Sequence, residues 1–241
     1  MKKIIKQGEP KELIDFKLNN RDTPGKIDYT SLGARERVPI KAALLSEQGY
    51  LCAYTMKRIS NNSSHIEHIK PESLCRKHKE EGIDTVSDLD YSNMLACFPS
   101  DRVKSKMPYG AHKKDNWWKE DGRGFISPLI VNCEDHFSFD MKGKISGKTD
   151  SGKETINILK LDHKILTEDR KRAIDAFIYD KNQKSISISK AQTAIGEITK
   201  MHGDKYPEYC VCIRFALQEY VVYLNKLAKK KRSIRSAKNK K

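Results

Sequence analysis

The chain has 241 residues and carries 47 Lys and Arg against 32 Asp and Glu, which gives a formal net charge of +15 at pH 7. Such an excess favours a phosphate-rich partner, with nucleic acid as the first candidate and an anionic membrane surface as the second. No stretch approaches the roughly 20 apolar residues of a membrane-spanning helix, and the first residues lack the apolar segment of a secretory signal. The six cysteines include no CxxC pair, so we expect reduced thiols and a cytoplasmic protein.

The first third of the chain is predicted to mix short helices and strands. Residues 1–34 are polar and punctuated by Pro and Gly, which favours an irregular arm. A helix is predicted over 35–48, where apolar residues recur at helical spacing before Gly49. Residues 50–59 and the short run HIEHIK at 65–70 have strand-like composition.

The middle of the chain is more polar. Residues 72–89 are predicted to form a charged loop or a short helix. DYSNMLACF at 90–98 is predicted to open a helix with Asp90 as its N-cap. A polar insertion at 99–111 then leads to HKKDNWW, which we place on a further helix.

The character changes again after Gly122. Residues 125–147 alternate aromatic and polar side chains around a Lys-Gly turn and predict a hairpin. Helices are predicted over 155–179, with Asp162 as a cap, and over 207–228. The end of the chain from 229 to 241 contains no acidic residue and is predicted to be a disordered basic tail.

The side chains that suit phosphodiester hydrolysis cluster in the first half. Such a reaction needs a cation on the phosphate, a base near neutral pKa, and a group that fixes the base. In an extended HIEH stretch, Glu67 and His68 project to opposite sides unless a bulge or turn intervenes, so one can face a metal and the other water. His112 offers a second metal ligand, and the Asn93 amide can brace the loop.

The order His68, Asn93, His112 is an HNH pattern, and longer segments strengthen the likeness. The chain resembles the HNH nuclease subunit of Septu-type antiphage systems, including retron-linked ones, which is the PtuB family. The resemblance runs from about residue 1 to 180 and rests on these segments: LLSEQGYLCAYT, HIEHIKP, DYSNMLAC, HKKDN, ISPLIVNCEDHFSFDMKGKI and TINILKLDHKILTEDRKRAI.

The resemblance implies an α+β, mostly helical fold in which 35–124 form a ββα-metal (HNH) nuclease core. It implies roles for five positions: His68 as general base, Glu67 and His112 as metal ligands, Asn93 as the structural asparagine, and Lys113 or Lys114 near the scissile phosphate. The metal expected at such a carboxylate and imidazole pair is Mg²⁺, with Mn²⁺ as the alternative. Residues 125–228 are then a hairpin and helical region for partner docking.

One departure from the family concerns a structural zinc site. The family reads CAYC and carries two further cysteines, whereas this chain keeps Cys52 and Cys97 but has Thr55 and Gly110 at the partner positions. Two thiolates bind zinc far more weakly than four, so we predict a zinc-free knuckle held by packing. Cys75 is a second-choice substitute ligand.

Several residues have a structural interpretation beside a functional one. His65 is either a third ligand or, as we favour, a strand residue. The paired Trp117 and Trp118 can stack on bases, but adjacent tryptophans more often anchor a helix. The terminal lysine run either tracks nucleic-acid phosphates or only keeps the protein soluble.

Two classes of function follow. The first is a metal-dependent endonuclease acting on DNA or RNA as the effector of a defence complex. The resemblance implies an ABC-like ATPase partner of the PtuA type, joined in retron-linked versions by a reverse transcriptase and its branched DNA–RNA product (msDNA). The second is a catalytically inactive, basic nucleic-acid-binding or scaffolding subunit of such a complex.

Overall fold

The computed structural model describes residues 1–23, 27–103 and 106–238, and these form a mostly helical structure with two small antiparallel sheets. The predicted α+β, mostly helical class is therefore confirmed. In chain order the elements are α1 (Lys11–Asn19), α2 (Ala34–Glu47), β1 (His65–His68), α3 (Glu72–Glu80), β2 (Met94–Cys97), α4 (Ala111–Lys114), β3 (Phe137–Phe139), β4 (Ile145–Gly147), α5 (Asp150–Leu159), α6 (Lys164–Ile178), α7 (Ile188–Glu197) and α8 (Cys210–Lys238). No described helix is long and apolar enough to cross a membrane.

The first sheet pairs β1 with β2, in a register that places His65 opposite Cys97 and His68 opposite Met94. The strand prediction for HIEH is confirmed, but the helix predicted over 90–98 is wrong. A short 3₁₀ turn precedes β2, whose four side chains are all buried. A fully buried apolar run this short suits a strand as well as a helix, and pairing with β1 decides between them.

The end of α2 is fixed against this sheet by Gln48. Its buried amide accepts from the Ala96 N–H at 2.8 Å and donates to the Ala96 carbonyl at 2.8 Å. The Gln48 side chain thus pairs with the N–H and the carbonyl of Ala96 as a neighbouring strand would. It covers the edge of β2 that faces away from β1.

The N-terminal segment predicted as an irregular arm contains α1 and packs into the body. Met1, Ile4, Leu13 and Leu32 are buried in the core, and the Ile4 N–H donates to the Pro128 carbonyl. Apolar residues are sparse here, but these four reach the core, which composition alone does not reveal.

The C-terminal half differs from the prediction in its boundaries. The hairpin is confirmed over β3 and β4. The helical pattern at 155–179 is split between α5 and α6, and the N-cap of α6 is His163 rather than Asp162, with the His163 ring accepting from the Ile165 N–H at 3.3 Å. The final helix, α8, continues to Lys238, so 229–238 are helical instead of disordered.

Candidate active site

Three of the predicted site residues meet at one open cavity of about 560 Å³. Glu67 and His68 are the last residues of β1, and His112 lies on α4. The ionisable side chains that line the cavity are Glu67, His68, Glu72, Arg76, His112 and Asp115. We expected Glu67 and His68 to project to opposite sides unless a bulge or turn intervenes, and both border the cavity at the point where β1 ends.

The His68 ring is buried and held from two directions. Its Nε2 lies 2.8 Å from the carbonyl oxygen of Asp88, and the edge of its ring packs against Tyr29 with centroids 4.6 Å apart. Because a carbonyl only accepts, Nε2 carries the ring proton and Nδ1 keeps a lone pair. Nδ1 lies 3.3 Å from a carboxylate oxygen of Glu72, at the start of α3. This arrangement suits a ring that gains a proton at Nδ1.

The Glu67 carboxylate is placed between two nitrogen-bearing side chains. One oxygen lies 3.4 Å from the ammonium of Lys114, and the other lies 3.5 Å from Nε2 of His65. Lys114 also donates to the backbone carbonyl of His68 at 2.9 Å. The opposite ring nitrogen of His65 bonds to the Pro99 carbonyl, so His65 stands behind Glu67 and supports it.

Asn93 clamps the backbone just beyond His68. Its side-chain carbonyl accepts from the Lys70 N–H at 2.8 Å, and its amide donates to the Lys70 carbonyl at 3.0 Å. The Asn93 backbone carbonyl also accepts from the Ile69 N–H at 2.9 Å. The side chain is 5% exposed, so both polar ends are used inside the protein. Asn93 therefore braces the backbone directly after His68.

The two lysines of α4 differ in their surroundings. Lys113 is exposed and is not among the residues that line the cavity, whereas Lys114 is buried beneath Glu67. The prediction that Lys113 or Lys114 lies near the scissile phosphate stays a prediction. A lysine three residues after the Gly110 turn points outward, and the next one points into the core.

Sequence reasoning missed Glu72, the first residue of α3, and Arg76, about one turn further along that helix, which line the same cavity. An Arg76 guanidinium nitrogen lies 2.8 Å from a carboxylate oxygen of Asp28. Hydrogen bonds from Thr30, Arg76 and Ser31 lower the pKa of Asp28 to about 2, although partial burial opposes them. The only available signal was the i, i+4, i+8 spacing of 68, 72 and 76, which resembles an ordinary solvated helix face.

The charges that line the cavity are unbalanced. Glu67, Glu72 and Asp115 contribute three carboxylates against the single guanidinium of Arg76, with Lys114 just beneath. A phosphate that enters such a cavity meets repulsion unless a cation is bound there. Glu67 and His112 supply a carboxylate and an imidazole at its wall.

The donors fit a hard divalent ion that keeps water in its remaining positions. Mg²⁺ is usually bound through one or two carboxylates together with water and substrate phosphates, and imidazole is tolerated by Mn²⁺ and later transition metals. Among the described residues, no group of three or more His, Cys, Asp or Glu side chains is arranged to enclose a metal ion.

The two cysteines that remain at the positions of the family's zinc site, Cys52 and Cys97, are free and buried. The strand predicted at 50–59 is instead a tight loop in which the Met56 N–H donates to the Cys52 carbonyl at 3.0 Å. The Cys52 sulfur accepts from the Phe98 N–H at 3.3 Å and from the Cys97 thiol. Burial acts to raise the pKa of Cys52, but these bonds and those from Thr55 lower it to about 6.

The two replaced positions lie together at the same place. A Cβ added at Gly110 would lie 3.8 Å from the Thr55 methyl group, and Thr55 bonds to Cys52. The four positions of the family's zinc site therefore lie together in this structure, but two of them are occupied by Thr55 and Gly110 instead of cysteine. Cys75 lies elsewhere: its sulfur is 3.5 Å from the Asn93 amide nitrogen, so it supports the clamp.

We expect Thr55→Cys to restore zinc binding, because three thiolates and a water molecule complete a tetrahedral site. Metal analysis of purified protein, and the absorption of the Co²⁺-substituted form, measure this. Wild type and Thr55→Ser should carry little zinc, and Thr55→Cys should carry a nearly stoichiometric amount. Stoichiometric zinc in wild type would refute the prediction of a zinc-free knuckle.

The paired tryptophans favour the packing interpretation. Trp117 is half-buried and its ring lies 6.0 Å from that of Phe125, centroid to centroid. A Cβ at Gly122 would come within 2.9 Å of the Trp118 ring, so that glycine lets the ring lie against the backbone. Both side chains therefore anchor the segment that follows α4.

Two antiparallel strands and a short helix thus bring the carboxylate of Glu67 and the imidazoles of His68 and His112 to one cavity. The sequence is similar to that of a Vibrio cholerae (serotype O1 biovar El Tor) protein named "Retron Vc95 putative HNH endonuclease", with 31% identity over 150 residues. The match covers 58% of this chain and 65% of that relative, slightly less than two thirds of its length. No family model matches the chain.

Proposed function

We propose that this protein is a divalent-metal-dependent HNH-type endonuclease that hydrolyses phosphodiester bonds in DNA or RNA. The observation that supports it most is the convergence of Glu67, His68 and His112 on one cavity, with Asn93 clamping the loop behind His68. The similarity to a retron-associated relative supports the same class.

In the proposed reaction His68 acts as the general base. Its Nδ1 removes a proton from water, the water oxygen bonds to phosphorus, and the bond from phosphorus to the leaving oxygen breaks. The Asp88 carbonyl keeps the ring in the required tautomer, and Glu72 lies beside the nitrogen that gains the proton. A cation held by Glu67 and His112 would polarise the phosphate and stabilise the leaving oxygen.

The other residues of the site keep this geometry. Lys114 holds both the Glu67 carboxylate and the His68 carbonyl, so it fixes the end of β1 on which both groups lie. Asn93 fixes the next turn of chain. Arg76, itself anchored by Asp28, offers its remaining donors to a phosphate oxygen at the cavity wall.

The excess of carboxylates predicts that nucleic acid enters the cavity only when metal is present. His68→Ala protein should bind a short labelled oligonucleotide more tightly in Mg²⁺ or Ca²⁺ than in EDTA. Glu72→Gln together with Asp115→Asn should reduce that difference, because the metal-free cavity then repels phosphate less. Asp180→Asn together with Asp204→Asn, at exposed sites elsewhere, removes the same two negative charges and is the control for total charge. Equal metal dependence in all variants would contradict this account of the cavity.

We further propose that the chain acts as the nuclease effector of an antiphage complex. Its regulators would be a PtuA-type ABC-like ATPase and, where a retron is present, a reverse transcriptase with its msDNA. We place the ATPase contact within 125–228. Tyr223 and Leu227 support this, since their side chains on α8 are 49% and 36% exposed outside the core.

Co-expression with the neighbouring ATPase tests this contact. Tyr223→Glu with Leu227→Glu should abolish co-purification, whereas Val131→Glu, at a more exposed apolar position, should retain it. Truncation after residue 124 is a poor test, because it also removes Glu134. The Glu134 carboxylate accepts hydrogen bonds from the Lys2 side chain and the Lys3 N–H, so its loss would disturb the N-terminal segment. Full retention by the α8 variant would exclude this face as the contact.

The alternative is a catalytically inactive, nucleic-acid-binding or scaffolding subunit. The net charge of +15 is compatible with it, but binding alone gives no reason for the ordered surroundings of His68. A nuclease assay of the reconstituted complex, with Mg²⁺ or EDTA, separates the two functions.

A further inference from the structure

The outer half of α8 carries a concentrated positive charge that no part of the site uses. After Glu219 the sequence contains nine Lys and Arg and no Asp or Glu. The first of them that the structure describes as exposed are Lys226, Lys229, Lys230, Lys231 and Arg232. Within the described part of the chain, none of these five forms an ion pair.

This half of the helix also contributes nothing to the core. Ile213, Leu217 and Tyr220 are buried at the base of α8, whereas 225–234 are exposed. Lysines at positions i and i+4 of a helix repel one another, so this many like charges do not stabilise the helix. The exposed half of α8 therefore carries like charges whose mutual repulsion is unfavourable.

The positions of the charges indicate what the exposed half of α8 contacts. At about 100° per residue, the five side chains at 226–232 point to all sides of the helix, and at 1.5 Å per residue they span only about 9 Å. That density exceeds the one charge per roughly 3.4 Å of a single nucleic-acid strand. A helix that is basic on every side suits a groove with phosphates on both walls.

The surface of an anionic membrane fits less well. A helix that lies in a lipid interface needs a broad apolar face opposite its charges. Between 225 and 233 the sequence is NKLAKKKRS, with Leu227 as the one large apolar residue. An acidic protein surface would meet only one side of the helix and leave the other lysines unmatched.

We infer that residues 229–232 of α8, which follow the Leu227 position proposed for the ATPase contact, form a sequence-independent binding site for the nucleic-acid backbone, separate from the cavity. The site holds the nucleic acid to the protein through phosphate contacts, whether or not the cavity cleaves it. The site raises the affinity for nucleic acid and makes binding depend more steeply on salt concentration, because lysines that contact phosphates release the counterions bound there.

The test compares two charge-matched variants in the full chain. One replaces Lys229, Lys230, Lys231 and Arg232 by Gln, and the other replaces Lys142, Lys144, Lys181 and Lys184, which are exposed and form no ion pair among the described residues. Both carry His68→Ala and are measured in EDTA, so cleavage and cavity metal do not contribute. Gln keeps a good helix propensity, and circular dichroism verifies the helix.

Anisotropy of a labelled 30-base-pair duplex is measured over a salt series. The α8 variant should lose more than about tenfold in affinity, and its slope of log K against log salt should fall by about 3 units, close to 0.9 per lost phosphate contact. The control variant should remain within about threefold of its parent. Wild-type binding by the α8 variant, an equal loss in the control, or preferential binding to phosphatidylserine vesicles over the duplex would each overturn the inference.

Discussion

Replacing His68 by Ala should lower the rate of phosphodiester cleavage by about 10²–10⁴-fold, the usual contribution of a positioned general base. Nδ1 of His68 is the basic nitrogen at the cavity, because Nε2 is engaged with the Asp88 carbonyl. Single-turnover cleavage by the reconstituted complex, with Mg²⁺ in excess, measures the chemical step.

His202→Ala is the matched control, since His202 is exposed and remote from the cavity in sequence. It should cleave at the wild-type rate. Nucleic-acid binding by His68→Ala should persist, which shows that the loss lies in chemistry and not in folding. Wild-type cleavage by His68→Ala would mean that another group removes the proton.

Replacing Asn93 by Ala should lower the free energy of unfolding by roughly 2–4 kcal/mol, because it leaves the buried N–H and carbonyl of Lys70 without their partner. It should also slow cleavage by one or more orders of magnitude, as the chain beyond His68 loses its clamp. Urea denaturation and single-turnover cleavage measure the two effects.

Ser92→Ala, at the exposed neighbouring position, should change neither quantity by much. Asn93→Asp separates the two hydrogen bonds, because it keeps an acceptor for the Lys70 N–H and removes the donor to the Lys70 carbonyl. Unchanged stability in Asn93→Ala would show that the clamp contributes little and that its bonds are replaced by water.

The residues to which we assign the chemistry were chosen from motif order, which requires no knowledge of the fold, and their roles stay a prediction. Glu67, His68 and His112 reach one cavity as the HNH pattern implies, and Asn93 occupies a bracing position. Their supports were not predictable. Glu72, Arg76 and Lys114 belong to charged stretches that look like solvated helix faces, and only the packing of α3 and α4 around the end of β1 brings them to the site.

Elements whose type follows from the local spacing of apolar residues were predictable from sequence. Elements whose type depends on pairing with a distant strand were not. The helix at α2 is long and periodic, and its prediction held. The four-residue β2 was taken for a helix, because only its ladder with β1 and the Gln48 amide distinguish the two. Residues 229–238 were predicted disordered from their charge, yet they extend a helix already anchored through Ile213 and Leu217.

We propose that Glu67 and His112 bind a divalent cation beside His68. The anomalous-difference density of a crystal soaked in Mn²⁺ tests this without an activity assay. We expect a peak roughly 2.0–2.3 Å from a Glu67 carboxylate oxygen and a His112 ring nitrogen, and the loss of that peak in Glu67→Gln. Saturating Mn²⁺ with no density at the cavity, while Glu67 still contacts Lys114, would contradict it.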